Sequence, residues 1–166
     1  MLTLLSFVIP CYRSEYTITK VIDEIIATVS QRAQYDYEII CVNDFSPDRV
    51  YDVLSKLAAQ NPKIKVINLA KNMGKHAALL AGYSFVQGDY VIGIDDDYQC
   101  PVYELWKLLE PVEQDQCDMA TARYKKKQQA LWKNLGSKVN VWMSSFLLEK
   151  PTTLRFENFA VTKRFV

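Results

Sequence analysis

The stretch GDYVIGIDDDYQCP, Gly88–Pro101, sets an apolar run directly against three consecutive aspartates, Asp95, Asp96 and Asp97. The run has the length and continuity of a strand buried on both faces. Neighbouring carboxylates repel one another and resist desolvation, so at the end of a buried strand they require a cation or hydrogen-bond donors. In an extended segment Asp95 and Asp97 leave the same face and Asp96 the other. Two readings compete for the trio. A divalent metal such as Mg²⁺ or Mn²⁺ takes hard oxygen ligands, one or two carboxylates at a time, with substrate phosphates and water completing the shell. Alternatively the aspartates cap a helix starting near Pro101.

Three further apolar runs precede this one, LLSFVIP at 4–10, YEIICVND at 37–44 and IKVINLA at 64–70. Between them lie ITKVIDEIIATVSQ (18–31), RVYDVLSKLAAQ (49–60) and KHAALLAGYSFVQ (75–87), and PVYELWKLLEPV (101–112) follows the aspartates. Ile18, Val21, Ile22, Ile25, Ile26 and Val29 recur at helical spacing. The strand–helix alternation predicts an α/β fold, a mostly parallel sheet with helices on both faces. Polar residues gather just after each strand, as CYRSE, NDFSPD, KNMGKH and DDDYQ. Ligands of such sheets bind beyond the carboxyl ends of the strands, so the four loops are expected along one edge. CDMATARY (117–124) reads as a fifth short strand, followed by the polar KKKQQ.

The 166 residues, 49% hydrophobic and 23% charged, fit one soluble globular domain. The net charge of +1 conceals an asymmetry: residues 1–120 carry ten basic against seventeen acidic side chains, and residues 121–166 ten against two. A cation site in the body and an anionic partner near the basic end would account for this, as would a solvated basic face. Cys11, Cys41, Cys100 and Cys117 contain no CxxC pair, so neither a zinc site nor a disulfide scaffold is indicated. They read as small core residues of a protein in a reducing compartment. No signal peptide opens the chain and no apolar run would cross a bilayer, so a cytoplasmic location is expected.

Other nucleotide schemes fail on the residues. Gly74-Lys75 lacks the earlier glycine of a phosphate loop, and His76 stands where Ser or Thr belongs. No GxGxxG follows the first strand. A receiver-like or phosphatase-like domain would carry its aspartates on an earlier strand and form an acyl phosphate.

FVIPCYRSE, IICVNDFSPD, NLAKNMGKHAALLAGYSFVQGDYVIGIDDDYQCP and ATARY, in this order and spacing, resemble family 2 glycosyltransferases with the Rossmann-like GT-A fold. The likeness is strongest to the branch of dolichyl-phosphate mannose synthase and bacterial polyprenyl-phosphate sugar transferases. The resemblance implies that Pro10 and Tyr12 line the base pocket of a nucleotide sugar, with Glu15 close by and Asp44 bonded to the base. Asn43 and Arg13 depart from the commoner residues and leave the base, UDP or GDP, open. Lys71 to Lys75, with Gly74 allowing close backbone approach, match the loop beside the nucleoside. For Lys75 an ordinary exposed lysine at a helix start is the plainer alternative.

Asp95 and Asp97 match the family's DxD motif, which holds Mg²⁺ or Mn²⁺ against the diphosphate; Gln99 matches a further position in the metal shell, and Asp96 replaces a small residue. Asp97 and Arg123 are the implied catalytic pair, the guanidinium making planar contacts to phosphate. His76, the single histidine, receives no catalytic role.

The implied donor is a nucleotide-diphosphate sugar and the implied acceptor a lipid phosphate or a glycan, with inversion at the anomeric carbon and no nucleic-acid partner. Leu131, Trp132, Leu135, Val139, Trp142, Met143, Phe146 and Leu147 recur at helical spacing. They suit a helix packed on the sheet, in preference to one lying on lipid headgroups at the cytoplasmic face of a membrane. Lys138 lies near another basic position of the relatives, and Asn158-Phe159 replaces a serine-phenylalanine type of sequence. The expected organisation is one catalytic domain, a nucleotide-sugar-binding portion at 1–123 and the start of an acceptor-side portion at 124–166. Relatives continue beyond Val166, so a C-terminally shortened domain is expected, able to self-associate. The alternative in another class is a nucleotide-sugar-binding module that turns nothing over.

Overall fold

Four of the strands are parallel because their sequences can bury both faces. β1 (Thr3–Cys11), β2 (Tyr35–Asn43), β3 (Ile64–Asn68) and β4 (Tyr90–Gly93) carry the apolar runs, and helices α1 (Ile18–Val29), α2 (Val50–Gln60) and α3 (Lys75–Tyr83) connect them. A single 3₁₀ turn, Val102–Glu104, leads into α4 (Leu105–Glu113), followed by β5 (Met119–Thr121) and β6 (Ala160–Lys163). This computed structural model describes residues 2–122 and 159–164. Arg123, the 131–147 pattern, Lys138 and Asn158 lie outside the described residues.

The sheet runs β3-β2-β1-β4-β6-β5. Phe7 of β1 stands opposite Ile39 of β2 on one side and Ile92 of β4 on the other, all parallel. β6 runs antiparallel to β4 and to β5, with Ile92 opposite Val161 and Thr121 opposite Ala160. The chain winds outward from β1 to β3 and then crosses back to place β4 on β1's other side. That reversal is the topological switch point, where α/β sheets open a crevice at their carboxyl edge.

Both faces are covered, as the continuous apolar runs require. On one face Val8, Ile40, Val42 and Val91 pack with Ala78 of α3. The opposite pleats, Phe7, Ile9, Ile39 and Cys41, are equally buried. On that side α1 buries Ile18, Val21, Ile22, Ile25 and Val29, and α4 buries Leu105, Trp106 and Leu109. The turn after α1 and the start of β2 are tied to α4: Arg32 lies 4.2 Å over the Trp106 ring, and the Tyr35 hydroxyl bonds Glu113. Burial and that carboxylate push the Tyr35 phenol up to about 12.

α3 ends at Tyr83, four residues short of the stretch read as helix. The reason lies across the sheet. The Gln87 N–H donates to Glu38 Oε1 (2.6 Å) and the Gly88 N–H to Ser6 Oγ (2.8 Å), so these amides leave the helix ladder for side chains on β1 and β2. Ser6 Oγ also donates to Glu38 Oε1, and Lys65 Nζ reaches Glu38 Oε2 at 2.7 Å.

Gly82 sets the approach of α3 to the sheet. A Cβ there would stand 2.4 Å from Val8 Cγ1 and 3.1 Å from Val42 Cγ2. Both neighbours are β-branched and sit in a dense core. Gly82→Ala is therefore expected to destabilise by about 1–3 kcal/mol despite alanine's better helix propensity. Guanidinium denaturation measures this, and a variant at least as stable as the parent would contradict so close a packing.

Candidate functional site

The four loops at the carboxyl edge each turn on one residue with left-handed backbone. These are Arg13 after β1 (φ 58°), Phe45 after β2 (φ 50°), Gly74 after β3 (φ 83°) and Tyr98 after β4 (φ 60°). Non-glycine residues in this region cost on the order of 1–3 kcal/mol each and persist where surrounding contacts over-determine them. Here those contacts are a web of hydrogen bonds between the loops. Arg13 N–H donates to Ser46 Oγ (2.8 Å), Ser46 Oγ to Asp48 Oδ1 (2.6 Å), Glu15 N–H to Asp48 Oδ2 (3.0 Å) and Arg49 N–H to Glu15 Oε2 (2.9 Å). Burial alone would raise the Asp48 carboxyl, but Ser46 and the Glu15 and Val50 amides outweigh it and hold it below the ordinary range.

Between these loops lies a cleft of about 410 Å³, lined by Pro10, Cys11 and Tyr12 after β1, Asp44 after β2, Asn72, Gly74 and Lys75 after β3, and Asp95 to Asp97 after β4. It sits at the switch point between β1 and β4. The predicted residues Pro10, Tyr12, Asp44, Gly74, Lys75, Asp95, Asp96 and Asp97 thus come together, while Glu15, Lys71 and Gln99 lie outside this lining.

Asp44 is 3% exposed and acts as a clasp. Its Oδ1 accepts the Met73 N–H at 2.7 Å and its Oδ2 the Gly74 N–H at 2.8 Å. Its carbonyl accepts Asn72 Nδ2 (3.1 Å), and its own N–H donates to the Cys11 carbonyl (3.0 Å). The carboxylate therefore holds the loop after β3 to the end of β2, while the Asp44 backbone joins that point to the end of β1.

The three aspartates divide their tasks. Asp95 pairs with the Lys75 ammonium. Asp96 turns into the β1–α1 loop, its Oδ2 accepting the Tyr12 N–H (2.8 Å) while its carbonyl accepts Thr17 Oγ1 (2.6 Å). Burial pushes the Asp96 carboxyl up, against the pull of the Tyr12 N–H. Asp97 is exposed, and its Oδ1 accepts the Gln99 N–H (3.0 Å), a local turn that leaves further acceptor capacity. Among the described residues no three carboxylate, imidazole or thiolate groups converge into a set that would hold a metal ion alone. Two carboxylates with hard oxygen donors fit an ion whose shell a substrate phosphate and water complete. Cys11 lines the same cleft, but burial, reinforced by Cys41 and Asp96, pushes its thiol up, so no thiolate nucleophile is built there.

The family model for glycosyl transferase family 2 matches residues 6–162, which spans all four loops. The chain belongs to glycosyl transferase family 2. Among family 2 relatives it is 35% identical over 136 residues to an undecaprenyl-phosphate 4-deoxy-4-formamido-L-arabinose transferase of Photorhabdus laumondii, covering 81% of this chain and 41% of that protein. The fold is the GT-A fold expected from the motifs. The mannosyltransferase PcManGT from Pyrobaculum calidifontis, solved with GDP-mannose and Mn²⁺, superposes with a TM-score of 0.69 at 16% identity, over 99% of this chain and 45% of that one. Glucosyl-3-phosphoglycerate synthase from Mycobacterium tuberculosis, solved with Mn²⁺, UDP-glucose and phosphoglyceric acid, gives 0.67 at 19% identity, over 97% and 56%. The chain spans about two fifths of the length of the curated relatives it matches. Among the described residues no helix is long and apolar enough to cross a membrane.

Thr17, Ser46 and Asp48 carry no role in the sequence pattern, and Asn72 enters it only as part of the 71–75 loop. Their signal is positional: each is a short polar residue within a loop that follows a buried strand.

Proposed function

We propose that the cleft binds a nucleotide-diphosphate sugar, and that in the whole protein this sugar passes, with inversion at its anomeric carbon, to a polyprenyl phosphate or a growing cell-surface glycan. One observation carries the reading: at the switch point Asp95 and Asp97 share a cleft with Lys75 and with the loops that follow β1, β2 and β3. It is supported by the family, by a relative named for undecaprenyl phosphate, and by structures of the same fold that hold nucleotide sugars with Mn²⁺.

Asp95 and Asp97 would hold Mg²⁺ or Mn²⁺, with Gln99 beside them. When bound, the ion supplies charge neutralisation for the diphosphate leaving group. Pro10 and Tyr12 bound the nucleoside end, the Asp44 clasp presents the Asn72–Gly74 backbone, and Lys75 and Arg123 offer cations to phosphate. Fixing the donor against these groups leaves the anomeric carbon to the acceptor. A lipid phosphate is already anionic at neutral pH, so it attacks without a protein base, and its location sets the reaction at the membrane surface.

Thermal unfolding of the 166-residue chain with UDP, GDP and their sugar conjugates, with and without Mn²⁺, tests the donor site. Ligand at a hundredfold excess over Kd is expected to add about 2.7 kcal/mol, roughly 5–10 °C for a chain of this size. The rise should require Mn²⁺, favour one base and vanish in Asp97→Ala. Folded protein that responds to no nucleotide would sink the proposal. Release of free sugar or sugar transfer, assayed alongside, separates a transferase from a silent binding module.

A further inference from the structure

Lys75 occupies an unusual place for a cation. It is the first residue of the nine-residue helix α3, where the positive end of the helix dipole disfavours an ammonium unless an anion compensates. Asp95 is that anion, its Oδ1 accepting from Lys75 Nζ; the Asp95 side chain is 22% exposed and that of Lys75 39%. The contact is set by fixed points. Gly74 adopts a backbone conformation that a side-chain-bearing residue would enter only under strain, and its N–H is locked on the buried Asp44. Its carbonyl accepts the Ala78 N–H at 3.1 Å and so starts the helix. The lysine stem therefore leaves the start of α3 from an anchored position and reaches the loop after β4.

The proposed function gives Asp95 a second suitor, and the inference rests on that reading. A divalent ion and the Lys75 ammonium would compete for the same carboxylate and repel each other there. A diphosphate relieves the conflict, because it offers the ammonium another anionic partner and takes it off Asp95. We infer that Lys75 is a displaceable counter-ion: it holds the metal's place on Asp95 in the ligand-free protein and moves to the diphosphate when donor and metal arrive together. Lysine suits the task, being a point charge on a flexible stem, whereas arginine prefers fixed planar pairs. The outcome is coupling. Metal alone binds weakly, nucleotide strengthens it, and by linkage metal strengthens nucleotide by the same factor.

The test is a titration of the full 166-residue chain with Mn²⁺, read as loss of the free-ion electron paramagnetic resonance signal. It is run with no nucleotide, with UDP and with GDP, on wild type, Lys75→Met, Lys75→Arg and Asp97→Ala. Lys75→Met keeps length and helix propensity but removes the charge. It is expected to bind Mn²⁺ alone about two- to fivefold more tightly than wild type, the range for releasing one partly exposed ion pair. Its Mn²⁺ affinity should gain less from nucleotide, while Lys75→Arg stays near wild type without nucleotide. Unchanged or weaker binding of Mn²⁺ alone by Lys75→Met, where wild type binds the ion and Asp97→Ala does not, would overturn the counter-ion role and leave the donor site standing. Failure of wild type to bind Mn²⁺ even with UDP or GDP would overturn the donor-site reading, and this inference with it.

Discussion

Asp44→Ala is expected to lower stability by about 3 kcal/mol and to abolish the nucleotide-dependent rise in Tm at the same time. The size follows from what the carboxylate does. Two hydrogen bonds to an ionised acceptor are lost, each worth about 1.5–3 kcal/mol, and relaxation of the loop into water recovers part of that. For a chain of this length the loss corresponds to roughly 6–12 °C in Tm. Binding should suffer because Asn72, Gly74 and Lys75 all lie within or next to the segment that Asp44 holds. Asp44→Asn separates the two effects. It preserves volume but sets an amide donor against one of the Met73 and Gly74 N–H groups, so its cost should be smaller, about 2 kcal/mol. Urea denaturation and the Mn²⁺-dependent thermal shift, measured on both variants, check the expectation. An Asp44→Ala protein as stable as the parent would mean that the clasp does not hold the loop in solution.

Glu38→Ala should destabilise comparably, by about 3 kcal/mol, through a different part of the molecule. Glu38 is 5% exposed in the middle of the sheet and gathers Ser6, Lys65 and the Gln87 amide. Removing one member of a buried pair costs about 3–5 kcal/mol, and the partial exposure of Lys65 keeps the value at the lower end. The same network fixes a pH dependence. Desolvation alone would raise the Glu38 carboxyl, but hydrogen bonds from Lys65, Ser6 and Gln87, with the charge of Lys65, hold it below the ordinary range. The folded protein therefore releases this proton more readily than the unfolded chain. Its stabilising contribution is complete above the unfolded value of about 4.3 and disappears as pH falls through the lower folded value. Denaturation of wild type and Glu38→Gln between pH 7 and pH 3 should show the difference between them shrinking across that acid window. A constant difference would place the stabilisation elsewhere.

Much of the architecture could be read from residue order, for a physical reason. Strands buried on both faces need unbroken apolar runs, and β1, β2 and β4 advertise themselves that way, while the helical period in 18–29 marks α1 without ambiguity. The place of the site followed from the same alternation. Two kinds of feature were not legible. The first is anything that depends on partners far along the chain: the antiparallel β6 beside β4, the early end of α3, the Asp44 clasp, the Lys75–Asp95 pair and the turn of Asp96 into the first loop. Each joins residues about 20 to 84 apart, and no local pattern encodes such a meeting. The second is backbone strain. Arg13, Phe45 and Tyr98 adopt left-handed conformations without the glycine or asparagine that would announce them. Their neighbours in space impose it. Lys75 reads as readily as a solvated lysine at a helix start, and its pairing with Asp95 emerges only in the fold.

The register of the last two strands carries an evolutionary consequence. Thr121 ends β5 directly opposite Ala160, which begins β6, so the chain leaves the sheet and re-enters it at adjacent points. In topological terms residues 122–159 are an insertion into a hairpin. The entropy of closing such an excursion grows slowly with its length, by about 0.6 kcal/mol for each doubling. Descendants of this gene can therefore lengthen, shorten or exchange that segment at little cost to the six strands. The loops around Asp44 and Asp95 lie outside that segment and stay under separate selection.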